Sequence, residues 1–297
     1  MDSPLPFGDL AGLLINVFIA LAMLCIGLSA TLREMTASVR KPDQLLRVLA
    51  ANVLIPPIIA LLLIGLLPLQ RPVAIVLFLL ALAPGGINAV QFSTKAQGQN
   101  AAAGALLILL SVIGLILAPA AAKLIIPVDA FARIAWDLLV LRIAGVIAVP
   151  LIAGILIRRF GPETAEKIYK PAMIVSTLSF IGSVILSFGL RQGAVAELGA
   201  ISLLAMAIFI VSLMLTGWGF GRNDPEFRQV LAVCTNLRNV GLVYLLVDAC
   251  CVNPLYSASV LAFMALMVPC NLVLTVLCAI ARKRRTRKAG DDAGSTA

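Results

Sequence analysis

"ALAPGGINAVQF", residues 81–92, lies in the middle of an apolar stretch bounded by Arg71 and Lys95. Pro84, Gly85 and Gly86 follow one another at its centre. In a helix interior these three would cost about 5 kcal/mol relative to alanine. A membrane-spanning helix can least tolerate that loss, because lipid offers no replacement partner for a freed backbone group. An interruption at this depth must be buried in protein or line a wet cavity.

The rest of the chain places the stretch in a bilayer. The protein has 297 residues, 61% hydrophobic and 12% charged, with a mean hydropathy of +1.07, whereas a soluble domain is roughly 25% charged. A span needs about 20 apolar residues. Reading between charges and turn residues gives spans at 10–32, 46–68, 72–94, 100–122, 136–158, 168–190, 196–220, 229–250 and 255–281. The fold class expected is an all-α integral membrane protein of about nine transmembrane helices. Residues 1–9 form a short N-terminus without a basic residue, so the first span is read as retained rather than cleaved.

Arginine and lysine concentrate after every second span: Arg33, Arg40, Lys41 and Arg47, then Arg158, Arg159, Lys167 and Lys170, then the tail 282–297. Basic loops stay inside. The expectation is a multi-pass protein of a bacterial inner membrane, with the N-terminus outside and the C-terminus cytoplasmic. The net charge of +9 is read as this asymmetry plus contact with anionic lipid heads, not as nucleic-acid binding. Histidine is absent, and with it the commonest general base and a frequent metal ligand. The six cysteines lie in or beside apolar runs and read as reduced structural thiols. No enzymatic activity, cofactor or metal is expected. Asp137 and Arg142 read as a rim ion pair, with a substrate gate as the alternative.

A second interruption matches the first. "CTNLRNVG", residues 234–241, puts Thr235, Asn236, Arg238, Asn239 and Gly241 inside the eighth span. Arg238 stands midway between Arg228 and Asp248, and an arginine at the bilayer centre costs about 3 kcal/mol on insertion scales. The third and eighth spans run antiparallel in this topology. Spans one to four then match spans six to nine as an inverted repeat. Paired interruptions in two inverted halves are the best sequence pointer to a secondary-transporter site. The two breaks are expected to meet. Pro56-Pro57, Pro119, Pro150 and Pro269 are read as kinks.

Three pieces, "MLCIGLSATLREM" (23–35), "LAPGGINAV" (82–90) and "TNLRNVGL" (235–242), together resemble the bile acid:sodium symporter family. The resemblance implies inverted repeats, with two broken helices crossing in a core domain (46–122 and 196–281) beside a panel domain (10–32, 136–158 and 168–190). The family's first helix has no counterpart here. Family members import organic anions such as bile acids, pantoate or keto acids, usually with sodium. The implied function is secondary active transport of a small organic anion by alternating access, with the lipid bilayer as the other partner. The alternatives are an efflux carrier of the same superfamily, or a membrane sensor or structural protein that kept the fold without transport. Substrate, direction and oligomeric state stay open.

The departures from the family pattern put sodium coupling in question. Ala89 and Val90 stand where polar sodium ligands are expected, and Ala103 and Leu107 where ligating hydroxyls are. Cys234 replaces the acidic residue that opens the second motif, and Arg238 its glutamine. Asn52 and Asn239 match polar family positions. The expectation is a guanidinium amid oxygens of Asn52, Asn88, Thr235 and Asn236, holding the crossing together without sodium and attracting an anion. The site region is thus Asn52, Pro84, Gly85, Gly86, Asn88, Gln91, Thr235, Asn236, Arg238 and Asn239. Gln91 is read either as lining the inner cavity or as ordinary interfacial polarity.

Overall fold

The computed structural model describes residues 6–29, 42–85, 100–126, 136–190, 192–222, 225–251 and 253–294. All regular structure among them is helical. Helix α1 is Pro6–Ser29. Helix α2 starts as Pro42–Leu49, widens into a π-turn at Ala50–Leu54 and continues as Ile55–Leu66. Then come α3 (Arg71–Ala81) and α4 (Asn100–Ile125). Helix α5 repeats the design of α2: Trp136–Ile143, a π-turn at Ala144–Ala148, then Val149–Phe160. The chain continues through α6 (Pro162–Leu190), the short α7 (Gln192–Glu197) and α8 (Gly199–Phe220). It ends with α9 (Pro225–Asn236), α10 (Val240–Cys250) and α11 (Pro254–Gly294).

Among the described residues, seven segments are long and apolar enough to cross a bilayer: Leu10–Ser29, Pro42–Leu66, Asp137–Phe160, Pro162–Ser187, Gly199–Phe220, Phe227–Cys250 and Pro254–Leu277. Two further apolar helices, Arg71–Ala81 and Leu109–Ile125, are shorter. The third expected span stops being helical at Ala81, three residues before Pro84. Large apolar side chains such as Leu66, Ile116, Leu141, Ile185 and Leu215 are exposed on the outer helices, as lipid-facing positions require. Phe227–Cys250 is the opposite case, buried along its whole apolar window.

Both π-turns precede prolines, Pro56-Pro57 and Pro150. Proline has no N–H, and its ring crowds the carbonyl four residues back, so the helix widens there. These are the kinks expected at Pro56-Pro57 and Pro150.

Helix α1 packs chiefly against α5 and α6, and α8 against α9, α11 and α2. Two of these contacts are backbone to backbone. A Cβ on Gly27 would stand 2.4 Å from the Leu151 carbonyl oxygen, and one on Gly154 2.4 Å from that of Leu24. Small residues of this kind let membrane helices touch where no hydrophobic effect drives them together. Gly217 does the same between α8 and α9, 2.5 Å from the Leu231 carbonyl.

The Asp137–Arg142 pair is a correction. Ion pairs among the described residues join Arg47 to Asp43 and Arg158 to Glu166. Residues five apart point about 140° away from each other around a helix, so these two side chains diverge.

Candidate functional site at two meeting helix breaks

The first break starts where α3 ends at Ala81. Leu82 turns, and Ala83, Pro84 and Gly85 leave the helix. Gly85 has φ +88°, a left-handed conformation that other residues avoid. Helix α4 closes on this turn. The Ser111 hydroxyl donates to the Gly85 carbonyl at 3.2 Å, and a Cβ on Gly114 would lie 2.7 Å from the Pro84 carbonyl oxygen.

The second break separates α9 from α10 at Leu237, Arg238 and Asn239. Asn239 caps α10: its side-chain oxygen accepts from the Leu242 N–H at 3.1 Å. Its own N–H is turned away from α9 and donates to the Ala83 carbonyl at 2.8 Å. The breaks are therefore bonded to each other, main chain to main chain. Gly241, the second residue of α10, brings in α1, since a Cβ there would stand 2.7 Å from Ile19 Cγ1.

Arg238 is 1% exposed and lies at the centre of the crossing. Its Nε donates to the Leu80 carbonyl at 2.9 Å and Nη1 to the Thr235 carbonyl at 3.4 Å. Its Nη2 donates to the Asn52 carbonyl at 3.1 Å and also to that of Ala81. The sequence explains why each carbonyl is available. The donors that Asn52 would have four and five residues ahead are Pro56 and Pro57, neither of which has an N–H. Leu80 would bond the residue at 84, which is Pro84, and loses that bond while it accepts from the Ala83 N–H at 3.2 Å. Ala81 is the last residue of α3. Thr235 would bond Asn239, whose N–H has gone to Ala83. Four freed carbonyls from three segments converge on one guanidinium. No acidic side chain pairs with it among the described residues.

Beside this cage, buried polar atoms lack any protein partner: Asn52 Oδ1, Thr235 Oγ1, both side-chain polar atoms of Asn236, and Asn239 Nδ2. The Asn52 side-chain amide is only half free, since its Nδ2 donates to the Val48 carbonyl at 3.0 Å. Leaving a buried polar group unpaired costs about 1–3 kcal/mol. Several of them gather around the two breaks, at Asn52, Thr235, Asn236 and Asn239, and unsatisfied buried groups are rare enough that each calls for an explanation.

Of the expected site residues, Asn52, Pro84, Gly85, Thr235, Arg238 and Asn239 come together here. Asn236 and Cys234 are buried in the same segment. Gly86, Asn88, Ala89, Val90 and Gln91 lie outside the described residues, as do the side chains of Ala103 and Leu107. Two features differ from expectation. Thr235 and Asn52 meet the guanidinium through main-chain carbonyls, not side chains, and the Asn236 side chain does not bond it. Ser111 and Gly114 were not among the expected residues, although a lone hydroxyl and a glycine in the apolar run "LLILLSVIGLIL" (106–117) were the available signal.

The model of the sodium bile acid symporter family matches residues 16–217. A Bacillus subtilis (strain 168) protein, YocS, described as an uncharacterized sodium-dependent transporter, is 24% identical over 241 residues. That similarity covers 77% of this chain and 71% of the relative.

Proposed function

Because this chain belongs to the sodium bile acid symporter family, we propose that it carries a small organic anion across the membrane by alternating access, with the two meeting breaks as the binding site. The observation that carries this reading is the Asn239–Ala83 main-chain bond, flanked by the unpartnered polar atoms of Asn52, Thr235, Asn236 and Asn239. Two helix breaks are expensive in a membrane. Their cost is offset when the groups they free serve a substrate at the midplane.

The ligand chemistry follows from what is unpaired. Arg238 supplies a buried positive charge with no acidic partner among the described residues. The N-terminal end of α10 adds a positive dipole end at the same crossing. Both favour an anion. The free amide and hydroxyl groups suit a small molecule that also carries keto or hydroxyl oxygens.

Helices α1, α5 and α6 form the panel in this reading, and α2 to α4 with α8 to α11 form the core. Rocking one against the other would open the crossing to each side in turn, in a bacterial inner membrane with the C-terminus inside. The test is counterflow: purified protein in proteoliposomes preloaded with one member of a panel of small mono- and dicarboxylates, challenged with the labelled compound outside. Saturable counterflow of at least one carboxylate, competed by its congeners, is expected. Absence of counterflow across the panel, with protein shown to be folded and inserted, would overturn the reading.

A further inference from the structure

We propose that Arg238 is a built-in cation, whose guanidinium fills the oxygen cage between the breaks so that this chain works without a coupled sodium ion. For transport the inference rests on the proposed function. For the cage it stands on geometry alone.

The argument begins with the carbonyls. In broken-helix transporters, unwound carbonyls and the C-terminal ends of half-helices are where a coupling cation is held, because oxygen lone pairs and the negative dipole end converge there. This crossing has such a set: Leu80 and Ala81 at the end of α3, Thr235 near the end of α9, and Asn52 in the proline-widened turn of α2. Every one of them already accepts from Arg238.

A sodium ion does not fit the same cage while the guanidinium fills it, and without it the cage offers sodium only neutral oxygens. Hard cations take several oxygen ligands and gain most from carboxylates. No acidic residue pairs with Arg238, and no cluster of acidic or cysteine side chains that could hold a metal exists among the described residues. A second cation about 4 Å from the guanidinium would also lose roughly a thousand-fold in affinity to repulsion, even with surface-like screening.

Arginine, not lysine, suits the role. Its five N–H donors are set in a planar fork, and it stays charged when buried. The four bonds use one N–H of Nε, one of Nη1 and two of Nη2. One Nη1 N–H remains without an acceptor among the described residues. The tether thus performs the structural task of a bound cation and leaves a donor and a net charge for the anion.

The experiment follows thermal unfolding of the purified protein in sodium chloride, potassium chloride and choline chloride. It is run on the wild type and on Arg238→Ala and Arg238→Gln. The wild type should unfold at the same temperature in all three salts. The variants should unfold earlier, and millimolar guanidinium or sodium, but not choline, should restore part of the loss at concentrations to which the wild type is indifferent.

Sodium-specific stabilisation of the wild type, or uptake by the wild type that rises with a sodium gradient, would overturn the proposal. So would variants that match the wild type in stability and respond to neither cation. If the variants do not fold, the wild-type salt comparison still decides. The thermal measurement needs no transported substrate. A failed counterflow assay therefore bears on the proposed function and not on the cage, and a sodium response does the reverse.

Discussion

Replacing Gly85 by alanine tests whether the first break depends on its close contact with α4. Two costs add. Alanine in the left-handed region at φ +88° costs about 1–2 kcal/mol. The new Cβ would also stand 2.5 Å from the Ser111 nitrogen, 2.6 Å from its Oγ and 2.7 Å from its Cα. Normal contact is about 3.5–4.0 Å, so α4 must move by about 1 Å, and overpacking of that kind costs about 1–3 kcal/mol. The total is about 2–5 kcal/mol, or a fall in melting temperature of about 5–10 °C for a chain of this size. Cys25, Cys234 and Cys250 are free and buried, so a thiol-reactive fluorophore reports the transition in detergent. A second variant identifies the contact. Gly85→Ala combined with Ser111→Gly removes the hydroxyl but keeps the nitrogen and Cα that cause two of the three overlaps, so most of the loss should persist. An unchanged melting temperature for Gly85→Ala, or full rescue by the second change, would refute this account of the break.

Two further substitutions separate stability from function. Asn236→Leu removes an amide with no partner at either polar atom and replaces it with an apolar group of similar size. The melting temperature should hold or rise by a few degrees while carboxylate counterflow falls; a clear loss of stability would mean the amide is satisfied after all. Asn239→Ala removes the cap on the Leu242 N–H and should cost about 1 kcal/mol, whereas Asn239→Ser keeps an acceptor and should retain most of it; equal melting temperatures for the two would show that the cap contributes nothing.

The crossing was legible because Pro84-Gly85 and Arg238-Asn239 are local departures from an apolar background, and each carries its reason in its own residue type. The partners of Arg238 were harder. A guanidinium suggests side-chain oxygens, and backbone carbonyls have no identity in a sequence. What a sequence does show is where carbonyls lose their donors. Pro56-Pro57 reads as a kink when taken alone, and it is one. Counted back four and five residues, it also frees the Asn52 carbonyl under both α and π bonding. Pro84 does the same for Leu80. Ser111 stayed hidden for another reason: the helix after the first break was aligned on Ala103 and Leu107, two turns and one turn before the hydroxyl that closes on Gly85. The third expected span, 72–94, is described only as far as Gly85, and its helix ends at Ala81, so it stands among the shorter apolar helices rather than the full-length spans.

Arg238 and Asn239 divide the work of the crossing between neighbours. A helix break creates two ends of opposite polarity, and each needs its own partner. The carbonyl ends of α3 and α9 converge on the Arg238 guanidinium, while the amide end of α10 is served by the Asn239 side chain. The peptide N–H between those two side chains ties the whole to Ala83. Both ends are served by protein, but the charge of the crossing is not balanced. The guanidinium brings one positive charge into a buried site where no acidic side chain answers it among the described residues. The neighbouring free atoms include amide donors at Asn236 and Asn239 and acceptors at Asn52, Thr235 and Asn236. On the proposed function, a ligand that completes this set would bring one negative charge and oxygens that both accept and donate, which is the chemistry of a small hydroxy- or keto-carboxylate.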